Sequence, residues 1–147
     1  MNYKLLCAQL KALTEDVSNE ISNLSNASAL LWQELADINW AGFYKMEGGI
    51  LVLYPFQGKP ACTKIAVGKG VCGTAVAEDR TQLVPDVHQF PGHIACDCAS
   101  NSEIVVPIHV NGEIWGVLDI DSPSFSRFDE EDQKGLENFV KILETVL

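Results

Sequence analysis

Glu103-Ile104-Val105-Val106-Pro107-Ile108-His109-Val110, then Asn111-Gly112, then Glu113-Ile114-Trp115-Gly116-Val117-Leu118-Asp119-Ile120-Asp121 is the stretch that decides the fold. Two runs rich in Ile and Val flank Asn-Gly, the pair favoured in two-residue hairpin turns because both positions take positive φ. The spacing predicts strands over 103–110 and 113–121, both central and buried. Pro107 lacks an amide hydrogen, so it predicts an edge or a bulge on its own strand. Asp119 and Asp121 alternate along one strand and share a face. Glu103 starts the partner strand and, counted back from the turn, lies across from the residues near 120. Three carboxylates are therefore expected to converge at one end of the sheet.

Downstream, Ser122-Pro123-Ser124 ends the sheet, and Asp129 is placed to cap a last helix. The run Glu130-Glu131-Asp132 suits that helix's positive end, and Leu136, Phe139, Val140 and Leu143 give it an apolar face. Upstream, residues 38–46 and 50–56 form a second hairpin around Glu47-Gly48-Gly49. A short strand is expected at Thr63–Val67, a short helix at 71–79 and another strand at 81–84. Residues 2–36 read as helical, with Ile21, Leu24, Ser28, Leu31 and Leu35 on one face. The order predicts one α+β domain over residues 1–147: a central antiparallel sheet with helices from the N- and C-terminal segments on one face.

The composition is globular: 147 residues, 47% hydrophobic and 20% charged. A formal net charge of −10 argues against a nucleic-acid or anionic-membrane surface, which needs clustered Lys and Arg. No apolar run approaches the roughly 18 residues that span a bilayer, and no leader is read at the start. A cytoplasmic address is expected.

Chemistry points to the cysteines, Cys7, Cys62, Cys72, Cys96 and Cys98. In a reducing compartment such thiols are catalytic, metal-bound or buried rather than structural disulfides. Cys96 and Cys98 lie in 85–101, a long segment with two histidines and no periodicity, the kind of loop that carries function. Cys7 reads as packing. Cys72 is either structural or a thiol whose pKa is lowered by a helix N-terminus. Zinc held by Cys62, His88, His93, Cys96 and Cys98 is one reading, against the paired-knuckle spacing usual for structural sites. Redox chemistry fits better: Cys96 as nucleophile, with Cys62 or Cys98 forming the disulfide that follows oxidation. Trp40 and Tyr44 read as core, or as walls of a small apolar pocket.

Taken together these stretches resemble the free methionine-(R)-sulfoxide reductases, a GAF-domain family. The matching segments are Asn39-Trp40-Ala41-Gly42-Phe43-Tyr44, Pro55-Phe56-Gln57-Gly58, Pro60-Ala61-Cys62, Gly68-Lys69-Gly70-Val71-Cys72-Gly73-Thr74-Ala75, Asp86-Val87-His88, Phe90-Pro91-Gly92-His93-Ile94-Ala95-Cys96-Asp97, Ser100-Asn101-Ser102-Glu103 and Gly116-Val117-Leu118-Asp119-Ile120-Asp121-Ser122. The resemblance implies a GAF fold and no cofactor or bound metal. It makes Cys96 the nucleophile, Cys62 the resolving thiol and Cys72 an auxiliary one. It makes Trp40 and Tyr44 the holders of the substrate's methyl-sulfur end, and gives its polar groups to Glu103, Asp119 and Asp121. It also implies a homodimer recycled by thioredoxin or a similar dithiol. Cys98 departs from the family pattern and stands as a rival to Cys62. A non-catalytic GAF sensor of small molecules is the alternative function.

Overall fold

The computed structural model describes residues 1–92 and 99–147. The N-terminal helical stretch divides into α1 (Tyr3–Thr14) and α2 (Glu20–Glu34), capped by the Asn2 and Asn19 side chains respectively. The chain reverses between them, with Asp16 at φ 60°. Then follow β1 (Trp40–Glu47), β2 (Ile50–Gly58), β3 (Lys64–Ala66), α3 (Gly70–Glu78) and β4 (Gln82–Val84). A single 3-10 turn at Val87–Gln89 precedes β5 (Ser102–Val110), β6 (Glu113–Ser122) and α4 (Glu130–Glu144).

The six strands form one sheet in the order β3-β2-β1-β6-β5-β4, every described pairing antiparallel. Alternation along the strands sorts side chains into two layers. Ala41, Phe43, Ile104, Val106, Ile108, Leu118 and Ile120 face α1, α2 and α4. Trp40, Tyr44, Leu51, Val105 and Val117 face the other way, toward α3 and its Val71, Cys72 and Ala75. The terminal helices thus share one face, as the sequence predicts, and α3 alone among the described helices covers the other.

The decisive hairpin forms as expected, with Asn111 at φ 54° and Gly112 at φ 78°. Its register then steps by one residue between Ile108 and His109: His109 pairs with Ile114 but Ile108 pairs with Gly116, and Trp115 is left over on β6. Beyond this bulge Glu103 stands opposite Asp121. Pro107 is placed by the same logic. β4 pairs with β5 only over Glu103–Val105, so Pro107 lies past its end and no amide hydrogen is needed on that side.

The capping box at Asp129 and Asp132 starts α4, and Leu136, Phe139, Val140 and Leu143 are buried at 2% exposure or less. On α2, Leu24, Ser28 and Leu31 are buried as read, but Ile21 is 49% exposed. The sheet-facing place in that first turn belongs to Glu20, which accepts hydrogen bonds from Lys45 Nζ at 3.1 Å and Trp115 Nε1 at 2.9 Å. Among the described residues no helix is long and apolar enough to cross a membrane.

Candidate active site

Strand parity assembles the site before any side chain is placed. β1 pairs with β6 so that Trp40 faces Asp121 and Gly42 faces Asp119. β5 pairs with β6 so that Val105 faces Asp119 and Glu103 faces Asp121. Directly opposed residues point to the same side of a sheet. Trp40, Tyr44, Glu103, Asp119 and Asp121 therefore project together toward α3, and they line one cavity with Cys72. The predicted substrate-contacting residues and one predicted thiol are thus brought into one place. Pro60, Ala61, Ile65, Lys69, Gly70, Val71 and Ser100 complete the lining, and the sequence reading assigned none of them a role.

The aromatic wall is held by hydrogen bonds to a single segment. Trp40 Nε1 donates to the Lys59 carbonyl at 3.1 Å, and Tyr44 Oη donates to the Cys62 carbonyl at 2.9 Å. The Trp40 ring lies nearly parallel to Tyr44 (centroids 5.9 Å, 21°) and to Phe56 (5.0 Å, 15°). Both readings of Trp40 and Tyr44 hold at once: each is 2% exposed, yet each walls the cavity. Burial, and then the Asp119 charge, push the Tyr44 hydroxyl well above its ordinary value, so it stays a neutral donor.

The acidic wall is buried too: Glu103 is 8% exposed and Asp119 6%. Burial raises the Glu103 carboxyl well above 4.5, and the neighbouring Asp119 and Asp121 raise it further through their charge and through hydrogen bonds. Three carboxyls in one desolvated corner resist full ionisation together, and at Glu103 the push is upward, toward the protonated form. A neutral carboxylic acid inside a cavity is a proton donor.

At Cys72 the two readings are decided by surroundings. The residue sits at the start of α3, but it is 4% exposed, and burial followed by the charges of Asp119, Glu103 and Asp121 raises its thiol well above 9.0. The helix-end effect is outweighed, and Cys72 is a protonated thiol that hydrogen-bonds with Asp119. Cys7 is a half-buried thiol packed against the helix-side core, as read. Cys7 and Cys72 are free, whereas Cys62 is disulfide-bonded. Cys96, Cys98 and His93 lie outside the described residues. Of the zinc set, Cys62 is engaged as stated and the His88 ring nitrogen meets Asn101 Oδ1 at 2.8 Å. The metal-type grouping among the described residues is a different one, Cys72, Glu103 and Asp119, with ligand atoms within 4.8 Å of one another.

A model of the GAF domain matches residues 9–147. Free methionine-R-sulfoxide reductase of Escherichia coli is 56% identical over 145 residues, covering 99% of this chain and 88% of its own. This chain belongs to the free methionine-R-sulfoxide reductase family of GAF domains. Solved structures of the family agree. The reduced form of fRMsr from Staphylococcus aureus superposes with a TM-score of 0.97 at 59% identity, over 99% of this chain and 95% of that one. The Neisseria meningitidis free methionine-R-sulfoxide reductase, solved in complex with its substrate, gives 0.95 at 42% identity, over 98% and 87%.

Proposed function

We propose that this protein reduces free L-methionine-(R)-sulfoxide to methionine. The observation that carries the reading is the cavity itself. It joins Trp40 and Tyr44 to the Glu103–Asp119–Asp121 cluster, and Tyr44 binds the backbone of disulfide-bonded Cys62. The aromatic pair receives the methyl-sulfur end. The cluster receives the polar groups, and neutral Glu103 donates its proton to the sulfoxide oxygen, activating the sulfur.

The thiolate of Cys96 attacks that sulfur, and the oxygen passes to the cysteine. Methionine leaves, and Cys96 becomes a sulfenic acid. The Cys62 thiol then attacks Cys96, a disulfide forms and water departs. Thioredoxin or a similar dithiol reduces the disulfide and is itself oxidised. Cys72, kept protonated by its burial, is an auxiliary thiol, and Cys98 competes with Cys62 for oxidised Cys96. The cycle belongs in the cytoplasm, where that reductant is found, as a defence against oxidative stress. We place the working enzyme as a homodimer, and Leu5, Leu13, Ile21 and Trp32, all exposed on α1 and α2, offer apolar surface for it.

The test couples turnover of each methionine sulfoxide epimer to a thioredoxin system, with wild type and Cys96→Ser side by side. The expected result is methionine from the free R epimer with wild type and none with the variant. Wild-type turnover by Cys96→Ser overturns the assigned nucleophile. Absence of turnover by wild type, with cyclic-nucleotide binding by calorimetry, returns the sensor reading.

A further inference from the structure

We propose that Lys69 sets the preference for a free amino acid by receiving the substrate's α-carboxylate, an inference that rests on the reductase reading above. Methionine sulfoxide is a zwitterion, and its two charges need opposite partners. Glu103, Asp119 and Asp121 occupy one side of the cavity and suit the ammonium group. They would repel the carboxylate, which must point elsewhere.

Among the described lining residues, Lys69 is the one with a cationic side chain. Its ammonium makes no ion pair with any of the described residues, whereas Lys45 is engaged by Glu20 and Arg127 lies 3.6 Å from Asp132. Lys69 is exposed and stands at the N-cap of α3 with extended backbone, φ −108° and ψ 135°. Its flexible stem can therefore follow a ligand at the cavity mouth. The helix end has no side-chain cap, so its partial positive charge adds to the same sign. A residue inside a protein chain carries an uncharged amide at this point and gains nothing from Lys69. Charge selection at the mouth thus favours the free amino acid over a residue within a chain.

The experiment compares the R epimers of methionine sulfoxide and methionine sulfoxide amide with wild type, Lys69→Met and Lys69→Arg. Assays run at about pH 6.5, below the usual α-amino range, so that both ligands keep their ammonium charge. Steady-state kinetics is paired with calorimetric binding to the reduced protein. Lys69→Met is expected to raise KM and Kd for the free acid about five- to tenfold, the size of one lost polar contact at a solvent-screened position, while kcat holds. The amide should bind wild type and Lys69→Met alike, and Lys69→Arg should keep most of the discrimination. Equal effects on both ligands, or a change under about twofold on the acid, overturn the inference and leave the reductase reading standing. Binding with the expected ratios but without turnover defeats the reductase reading alone, and failure of wild type to bind methionine sulfoxide defeats both.

Discussion

Replacing Glu103 with glutamine should make the protein more stable at alkaline pH while removing most of its activity. In the folded chain the Glu103 carboxyl is held well above 4.5, first by burial and then by Asp119 and Asp121. In the unfolded chain it titrates near its ordinary value. Below that value both states carry the proton and pH has no leverage through this group. Above it, the native state keeps a proton that the unfolded state has released. Stability then falls as pH rises, by up to about 1.4 kcal/mol per pH unit for one proton, until the native carboxyl ionises as well. The amide introduced by Glu103→Gln has nearly the same shape, can hydrogen-bond to both aspartates and has no proton to lose. The stability difference, variant minus wild type, should therefore climb with pH at up to that slope. Urea unfolding of the reduced proteins at about pH 6, 7 and 8 measures it, and contributions of groups that do not interact with Glu103 cancel in the difference. Turnover should drop about a hundredfold or more, the usual loss when a positioned acid is removed. Parallel stability curves for the two proteins would show that Glu103 carries no extra proton in the folded state, and the acid role would go with it.

Two further outcomes follow from packing. Tyr3 Oη donates to Asp132 Oδ1 at 2.5 Å, and its ring lies where a Cβ on Gly135 would come within 2.1 Å of it, so this residue ties α1 to α4. Tyr3→Phe should cost about 1–2 kcal/mol in urea unfolding without changing KM, and an unchanged midpoint would deny the tie. At Gly116 a Cβ would sit 2.1 Å from the Tyr44 carbonyl oxygen, between paired backbones that have no room to separate. Gly116→Ala should lose about 3 kcal/mol or more and reduce soluble yield, and a variant as stable as wild type would mean that β1 and β6 can part at that point.

The architecture was legible wherever local pattern and local turn agreed. Asn111-Gly112 between two β-rich runs fixed the central hairpin, and Asp129 with its acidic followers fixed the start of α4. Ile21 does not pack on the sheet, and periodicity cannot see that Glu20 takes that place, because its partners Lys45 and Trp115 are distant in sequence. The acidic cluster was legible because parity along a strand is a sequence property. The upward push on the Glu103 carboxyl was not, since desolvation comes from the packing of α3 and of the β1 aromatics around it. Neither was the Tyr44 bond to the Cys62 carbonyl, which depends on how the chain returns from β2 to β3. Lys69 was visible only as a letter between two glycines, because its significance lies in the signs of charge across a cavity.

The leftover Trp115 has a bearing on which changes this chain can tolerate. Were Trp115 drawn into the ladder instead of bulging out of it, the count from the turn would set Glu103 against Ile120 rather than Asp121, and the acid would point into the apolar layer under α4. The bulge lies about 17 Å along the strand from Glu103. The tally of residues between the turn and the acid, odd or even, is thus inherited information in its own right. A single residue gained or lost on one arm would turn the acid to the wrong face unless the bulge took up the difference, and paired insertions on both arms would be forgiven better than either alone.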